Sequence, residues 1–256
     1  MKNHQSYLGK AIVISCNRIS KSIFQLKIKI SEKIKYYPGQ FMRIKSLLSW
    51  GLWRPFSIAD YTDDTITIYF KKVGKNTEEY SKLKSGDKIQ IQAPHGNTKT
   101  ILETLGQYAS FILVGGGAGI FGIMSFAKWL SENNKQCKVL LGAKDLKNIP
   151  LESSLDLHEI VKIQDSDGFV TDLLEKELIT QRQSIVIACG PNAMLKKVST
   201  ICQNYNNEYF AVVEEIMACG IGACHGCAIL CINNTVKLVC KDGPIFDGKI
   251  IDWEKF

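Results

Sequence analysis

The sequence predicts three consecutive units of β and α/β type. The first is an antiparallel six-stranded barrel, the second a doubly wound parallel sheet, and the third a small cysteine-rich subdomain. Three observations lead to this prediction: short alternating segments fill residues 8–95, strands then alternate with helices, and five cysteines crowd the C-terminal end. We place the units at residues 1–98, 99–213 and 214–256.

The barrel is predicted from strands with a period of two residues. The segments IFQLKIKI and TITIYFKK alternate apolar and polar residues, and DKIQIQAP does the same before it stops at a proline. Turn sequences such as YYPGQ and KSGDK separate these segments. Because no long helical pattern interrupts six or so such strands, an antiparallel barrel is expected.

The second unit is predicted from strands that alternate with helices. An apolar strand, a glycine turn and an amphipathic helix follow one another in SFILVGGGAGIFGIMSFAKWLSENN. A second buried strand follows in CKVLLGAKD, then a helix in VTDLLEKEL, then another strand, turn and helix in SIVIACGPNAMLKKVSTIC. This order predicts a parallel sheet that is covered on both faces.

The composition and the N-terminal sequence predict the compartment of the protein and the kind of site that its cysteines form. The chain has 256 residues, of which 45% are hydrophobic and 22% charged, and its net charge is +7. We expect a cytoplasmic protein, because the N-terminus lacks the pattern of a secretory signal and the longest apolar run is too short to span a bilayer. Thiols stay reduced in that compartment, so clustered cysteines favour a metal or redox site over disulfides. No basic patch interleaved with aromatic residues indicates nucleic-acid binding.

Four of the clustered cysteines have the spacing C-x4-C-x2-C-x12-C, and they are Cys219, Cys224, Cys227 and Cys240. Structural zinc sites usually take two ligands from each of two separate knuckles. Three thiols on one continuous loop with a distant fourth match the plant-type spacing for a 2Fe–2S cluster. A zinc knuckle or a set of unligated buried thiols remains the alternative.

Three further residues could take part in these sites. Cys231 could compete as the fourth ligand, but its place in the apolar segment AILCI fits a small buried hydrophobe better. His225 lies within the cysteine loop and could tune a bound cluster. Cys189 ends a strand before Gly190 and Pro191, and we expect it to be a core residue before a cofactor contact.

Two further motifs indicate nucleotide and phosphate binding. Gly117, Gly119 and Gly122 form a GxGxxG pattern between a strand and a helix, where a pyrophosphate can approach backbone N–H groups. Tight packing of the strand against the helix would explain the same glycines. In WRPFSIAD, Arg54 offers a fork of donors for phosphate and Ser57 a hydroxyl for a ring nitrogen, although a surface arginine and a strand serine are equally compatible.

Several segments in order carry a resemblance to a known family. WRPFSI, GKNT, GDKIQIQAPHGN, LVGGGAGIFG and ACGPNAML resemble the ferredoxin–NADP reductase superfamily. With MACGIGACHGC and CKDGPIF included, the whole chain resembles the electron-transfer subunits of NAD-dependent dihydroorotate dehydrogenases.

The resemblance implies three cofactor sites. It implies FAD on the barrel, contacted by Arg54, Pro55, Phe56, Ser57, Tyr69, Phe70, Lys71, Asn76 and Thr77. It implies a nicotinamide dinucleotide at Gly115, Gly117, Gly119, Cys189, Gly190 and Pro191. It also implies one 2Fe–2S cluster on Cys219, Cys224, Cys227 and Cys240.

The resemblance implies a partner as well. An FMN-containing catalytic subunit would oxidise dihydroorotate in pyrimidine biosynthesis, in a heterotetramer with two copies of each chain. Electrons would pass from that FMN through the cluster and FAD to NAD⁺. No catalytic residue is predicted in this chain, which lacks an arguable acid–base or nucleophilic constellation. The alternatives are an NAD(P)H–ferredoxin-type oxidoreductase subunit with another partner, and a redox sensor or zinc-stapled binding module.

This sequence departs from the family pattern at a few positions. Asn76 stands at the second glycine of the family's G-x-G-T turn, where a positive φ is expected and asparagine is the next-best residue. His95 stands where leucine is common, and Ile216 where arginine is common. Asp145, beside Lys144 and Lys147 with no arginine cluster, favours NAD over NADP.

Overall fold

The computed structural model describes residues 7–47, 51–145, 159–181 and 183–256. Its first part is an antiparallel sheet of seven strands: β1 (Tyr7–Arg18), β2 (Ile23–Lys29), β3 (Phe41–Lys45), β4 (Trp53–Ser57), β5 (Asp60–Thr62), β6 (Thr65–Lys71) and β7 (Lys88–His95). Their order is β4-β3-β7-β1-β2-β6-β5. The edge strands β4 and β5 are not joined in this order, so the sheet is a half-barrel.

The half-barrel has seven strands, one more than the six that the sequence predicts. Strand β5 has three residues and forms a tight hairpin with β6. Asp63 and Asp64 connect them with φ values of 50° and 63°. Positive φ at both central residues is typical of the type I′ turn, whose twist suits a hairpin. A strand this short has too little alternation to be recognised from the sequence.

Strand β6 is buried on both faces. Ile66 and Ile68 are fully buried in the barrel core, as the period of two predicts. Tyr69 points the other way and stacks on Phe121, with 5.5 Å between the ring centroids. Because Phe121 belongs to the second part of the chain, this contact joins the two parts.

The rest of the chain contributes the strands β8 (Ser110–Gly116), β9 (Gln136–Ala143), β10 (Glu159–Gln164), β11 (Ile185–Cys189), β12 (Tyr209–Val212), β13 (Ala228–Leu230), β14 (Val236–Leu238) and β15 (Ile245–Asp247). The helices are α1 (Lys75–Tyr80), α2 (Lys99–Leu105), α3 (Gly119–Glu132), α4 (Val170–Thr180), α5 (Asn192–Asn204) and α6 (Val239–Asp242).

The second sheet has the order β10-β9-β8-β11-β12-β15. Its first five strands are parallel, which confirms the predicted doubly wound sheet, and β15 pairs antiparallel with β12 at one edge. Leu113 of β8 lies in the same core as helix α3, whereas Val114 lies in the core with α4 and α5. Alternate residues of the central strand therefore face helices on opposite sides.

The C-terminal segment is held against the second sheet. Strands β13 and β14 form a small hairpin, and α6 follows directly. Strand β15 lies within the predicted subdomain 214–256 but extends the sheet of the preceding unit. None of the helices in the described ranges is long and apolar enough to cross a membrane.

Candidate functional site

A cleft of about 560 Å³ opens between the half-barrel and the second sheet. Strands β4 and β6, the start of α3 and the segment after β12 converge on it. Its lining consists of Phe41, Pro55, Phe56, Ser57, Tyr69, Phe70, Lys71, Val73, Thr77, Ala118, Phe121, Asn192, Val212, Val213, Glu214, Glu215, Ile216, Met217 and Pro244. The walls are mostly apolar, with a few polar groups, which is typical of a site for a large planar ligand.

Seven of the nine residues predicted at a flavin line this cleft: Pro55, Phe56, Ser57, Tyr69, Phe70, Lys71 and Thr77. The ring of Phe56 is fixed edge-on between Phe70 and Tyr80, at centroid distances of 6.1 and 5.8 Å. Strands β4 and β6 lie at opposite ends of the sheet order but contact each other across the half-barrel, so they bring these residues together.

The other two predicted residues, Arg54 and Asn76, lie beside the cleft and not in its lining. Arg54 pairs with Ile44 of β3, and its charge acts on Tyr80, the pKa of which burial raises to about 12. The side-chain oxygen of Asn76 is buried and has no hydrogen-bond partner in the described part of the chain. An orphaned polar atom at this position fits a ligand group in the cleft.

The turn at residues 74–77 differs from the expectation of a positive φ. Asn76 lies within helix α1 and is not among the residues with positive φ. The hydroxyl oxygen of Thr77 accepts hydrogen bonds from the backbone nitrogens of Val73 and Gly74, at 2.9 and 3.1 Å. Because this side chain caps the first turn, the segment continues as a helix and needs no left-handed residue.

The predicted dinucleotide residues meet at the carboxyl edge of the parallel sheet. Strands β8 and β11 are neighbours, with Cys189 opposite Gly115. A methyl group on Gly119 would overlap the carbonyl of Cys189, so only glycine permits this approach. Gly117 has φ of +58° and open space around its Cα. The turn therefore leaves backbone N–H groups accessible at the start of α3, which fits a pyrophosphate.

The side chains of Ser57 and Cys189 come close to each other beside Gly122. A methyl group on Gly122 would lie 2.7 Å from the Cys189 sulfur and 3.6 Å from the Ser57 oxygen. Cys189 is fully buried, and burial together with the Glu214 carboxylate raises its pKa well above the usual value. Gly122 thus lets Ser57, which lines the cleft, approach Cys189, which is fully buried in the core and is not among the lining residues.

Glu214 is a cleft residue that the sequence did not indicate as functional. Its carboxyl group is open to the cleft but surrounded by protein on the other sides, and this environment raises its pKa above the usual value. The only signal in the sequence is a pair of acidic residues directly after the buried strand β12. Such a pair at a strand end is common on solvated loops.

The cysteine loop, residues 218–227, lies next to this cleft and begins directly after Met217. Its backbone directs N–H groups at sulfur: Cys224 at Cys219 (3.3 Å), Gly226 at Cys224 (3.4 Å), Gly222 at Cys240 (3.2 Å) and Cys240 at Cys227 (3.5 Å). Gly220 and Gly222 take φ values of +68° and +81°. Such donors stabilise thiolate and sulfide charge, as a bound iron–sulfur cluster requires.

The four sulfurs form two pairs, because the thiols of Cys219 and Cys224 contact each other, as do those of Cys227 and Cys240. In the described ranges, no three His, Cys, Asp or Glu side chains surround one point as ligands of a single metal ion. Backbone donors from Ile221 and Cys224 lower the pKa of Cys219 to about 6, whereas burial raises that of Cys240 to about 12. Two sulfur pairs, with three sulfurs on the loop and the fourth on helix α6, fit a binuclear cluster.

The structure also places the other residues that the sequence analysis singled out. Cys231 is buried, and its backbone nitrogen bonds to the carbonyl of Thr235 in the hairpin connection. His225 takes a φ of 58° within the loop. His95 is buried and stacks on Phe41, and burial lowers its pKa to about 4. Lys147, which contributed to the preference for NAD, lies outside the described residues.

Comparison with known proteins gives matches along most of the chain. Residues 214–252 match the model of the iron–sulfur cluster binding domain of dihydroorotate dehydrogenase B, and residues 9–141 match an FAD-binding domain. The dihydroorotate dehydrogenase B (NAD⁺) electron transfer subunit of Caldanaerobacter subterraneus is 35% identical over 245 residues, covering 93% of this chain and 95% of that one. The corresponding subunit of Clostridium perfringens is 33% identical over 243 residues, covering 91% and 93%.

Solved structures are similar as well. The structure of the NADH-dependent reduced ferredoxin–NADP oxidoreductase, an enzyme of flavin-based electron bifurcation, superimposes with a TM-score of 0.83 at 27% identity. It covers 95% of this chain and 90% of the matched chain. Ferredoxin–NADP⁺ reductase from Plasmodium falciparum superimposes with a TM-score of 0.63 at 18% identity, covering 78% of this chain and 93% of that one. The second similarity shows a shared fold.

Proposed function

Because the chain belongs to the family of dihydroorotate dehydrogenase B electron transfer subunits, we propose a residue-level assignment of its cofactor sites. The cleft holds FAD, the turn at Gly117 and Gly119 holds the dinucleotide, and the cysteine loop holds a 2Fe–2S cluster. The chain is the flavin and iron–sulfur subunit of an NAD-dependent dihydroorotate dehydrogenase, and it acts in pyrimidine biosynthesis.

One observation carries the assignment of the cluster. Three cysteine sulfurs lie on a loop that begins at the wall of the flavin-sized cleft, and the fourth, that of Cys240, lies on helix α6. Backbone N–H groups point at these sulfurs. The loop and helix α6 together therefore offer four ligands beside the cleft. When bound, a flavin exchanges electrons in pairs with a nicotinamide and singly with an iron–sulfur cluster.

The cleft residues position the flavin and exclude water. Phe56 and Phe70 supply a rigid apolar wall, and Ser57 places a hydroxyl at the end of β4. Arg54 lies at the side of the cleft, where its guanidinium can bind the phosphates. The unpartnered side-chain oxygen of Asn76 can accept a hydrogen bond from a hydroxyl of the cofactor. Ser57 and Glu214 form the polar end of the cleft, with the buried Cys189 close to Ser57, and we assign this end to the nicotinamide.

The dinucleotide is NAD in our proposal. Asp145 follows β9, and Asp165 and Asp167 follow β10, so three carboxylates lie near one edge of the sheet. The backbone bond from Asp165 to Ala143 ties these two strand ends together. Carboxylates at this edge would repel the 2′-phosphate of NADP, whereas a carboxylate accepts a hydrogen bond from the ribose hydroxyl of NAD.

A catalytic partner subunit follows from the family, and we propose that it contains FMN and forms a heterotetramer with two copies of each chain. Exposed apolar side chains flank the cysteine loop, and they are Ile216, Ile221, Leu230, Ile232 and Val236. We call them the loop-side apolar residues and propose that they contact the partner, because apolar side chains beside a redox centre favour close docking. We also place the protein in the cytoplasm, where ligand thiols stay reduced.

The assignment is tested on protein purified without oxygen. We expect one FAD and about two iron atoms per chain, a rhombic paramagnetic resonance signal after reduction, and oxidation of NADH by artificial acceptors. We expect no oxidation of dihydroorotate by this chain alone. Turnover of dihydroorotate without the partner, or a colourless protein that holds zinc, would contradict the proposal.

A second candidate function is a subunit of an NAD(P)H–ferredoxin-type oxidoreductase with a different partner. The similarity to the NADH-dependent reduced ferredoxin–NADP oxidoreductase, at a TM-score of 0.83, favours it. Affinity purification of the tagged chain from its native cell distinguishes the two. Recovery of an FMN-containing dihydroorotate dehydrogenase supports the first function, and recovery of another flavoprotein without it supports the second.

A further inference from the structure

A buried arginine from the half-barrel reaches the base of the cysteine loop. Arg43 lies on β3 and is 2% exposed. Its guanidinium donates to the carbonyl of Ala218 at 2.5 Å and to the carbonyl of Cys219. It also donates to the side chain of Gln92 at 3.1 Å. One side chain thus binds two successive carbonyls at the point where the loop begins.

The surroundings hold this guanidinium in one place. It lies 5.5 Å from the centroid of the Trp53 ring, within the range of a cation–π contact. Gly220 approaches so closely that a methyl group on it would lie 2.6 Å from the Arg43 nitrogen. The Nε atom of Arg43 is buried without a hydrogen-bond partner among the described residues. Burying this cation without a carboxylate is costly, which implies that it faces another negative group.

The negative groups next to it are the cysteine sulfurs. Burial lowers the pKa of Arg43, and negative charge on Cys219, Cys240 and Cys224 opposes this lowering. The other titratable neighbour, His95, is buried and carries no charge at neutral pH. A guanidinium remains protonated at all accessible pH values. Arg43 is therefore a permanent positive charge near three of the four proposed ligands.

We propose that Arg43 is a positioning residue that anchors the cysteine loop to the half-barrel and raises the reduction potential of the cluster. The inference rests on the proposed assignment of Cys219, Cys224, Cys227 and Cys240 as ligands. Reduction adds one negative charge to the cluster, and a fixed nearby cation favours that state. Because Arg43 belongs to the flavin-binding half, the same contact sets the position of the loop relative to the cleft.

The test is a redox titration of the whole purified chain, monitored by paramagnetic resonance of the reduced cluster. Arg43→Gln removes the charge and Arg43→Lys keeps it. Lys29→Gln is the matched control, because it removes an exposed charge three strands away in the sheet, roughly 14 Å from β3. We expect Arg43→Gln to shift the equilibrium toward the oxidised cluster by roughly tenfold, which is 59 mV for one electron.

Arg43→Lys tests the positive charge separately from the hydrogen bonds that hold the cysteine loop. Lysine keeps the potential near that of the natural protein, but it cannot donate to two carbonyls in the same planar fork. We therefore expect faster loss of iron to a chelator from this variant than from Lys29→Gln. Equal rates of iron loss would overturn the anchoring role.

The remaining outcomes also decide the inference. A natural potential in Arg43→Gln overturns the electrostatic role while leaving the proposed function intact. Loss of the cluster from Arg43→Gln but not from Arg43→Lys supports a requirement for the charge, whereas equal loss from both variants overturns that requirement and supports the anchor. If the natural protein itself has no binuclear signal, the ligand assignment and this inference both fail.

Discussion

The backbone nitrogen of Gly222 lies 3.2 Å from the sulfur of Cys240, eighteen residues further along the chain. This contact joins the tip of the cysteine loop to helix α6, and Gly222 can make it because its φ is +81°. The fourth sulfur is therefore brought to the loop by the hairpin of β13 and β14, which returns the chain to its starting point.

Cys240→Ser is expected to abolish the cluster, because it removes one of four proposed thiolate ligands. Iron and acid-labile sulfide per chain should fall to background, and the resonance signal of the reduced protein should disappear. Cys231→Ser is the matched control, since Cys231 is also buried and follows the loop, but its backbone pairs with Ile251 near the C-terminus. Equal iron loss from both variants would contradict the assignment.

The sequence predicted the class of fold because its signals are local. Alternation of apolar residues identified the strands of the half-barrel, and the alternation of strands with helices identified the parallel sheet. The spacing of the cysteines is also a local signal, and it predicted the cluster-binding loop. Contacts between distant segments carry no such signal. Arg43 and Ala218 are 175 positions apart, and only the docking of the tail on the half-barrel brings them together.

The position of Glu214 in the cleft also depends on contacts between distant segments, which the sequence does not reveal. Two acidic residues after a strand usually lie on a solvated surface, and their position here depends on how the half-barrel closes over the sheet. The helical conformation of Asn76 also depended on one side chain, because Thr77 caps the turn. We expected a positive φ at Asn76 because the family usually has glycine at that position.

Gly119→Ala is expected to destabilise the protein and weaken NADH binding. The added methyl group would overlap the carbonyl of Cys189, and overpacking of this kind costs about 1–3 kcal/mol. The melting temperature and the KM for NADH measure the two effects. Gly106→Ala is the control, since the nearest atoms there lie at ordinary contact distances of 3.4 and 3.5 Å. A KM unchanged by Gly119→Ala would be evidence against the assigned dinucleotide turn.

Thr77→Val is expected to reduce the retention of FAD. The substitution keeps the shape of the side chain but removes the acceptor for the Val73 and Gly74 nitrogens, at a cost of about 1 kcal/mol. The ratio of flavin to protein after gel filtration and the free energy of unfolding in urea are the measurements. Thr77→Ser keeps the hydroxyl and should bind FAD normally. If both variants retain FAD equally, the cap does not support the site.

Glu214→Gln is expected to change how stability depends on pH. The pKa of the Glu214 carboxyl is raised in the folded protein, so the folded state binds more protons than the unfolded state between the two pKa values. This group therefore stabilises the natural protein most at low pH, and that contribution is lost as the pH rises from about 4.3. Glutamine does not titrate.

The Tm of Glu214→Gln minus that of the natural protein should therefore increase as the pH rises above about 4.3 and level off beyond the raised pKa. Glu103→Gln, which removes an exposed carboxylate on α2, is the control away from the cleft. A Tm difference for Glu214→Gln that stays constant with pH would show that the raised pKa has no bearing on stability.

Ile221→Glu is expected to weaken binding to the catalytic partner subunit. Ile221 is 64% exposed on the cysteine loop, and a carboxylate in an apolar contact must be desolvated when the partner docks. A loss of roughly tenfold in affinity, typical of a residue within an interface, should be measurable by calorimetry with the purified partner. Ile179→Glu is the control, because Ile179 is 56% exposed on α4, away from the loop. Iron content should be unchanged in both, and equal affinities for the two variants would place the docking surface elsewhere.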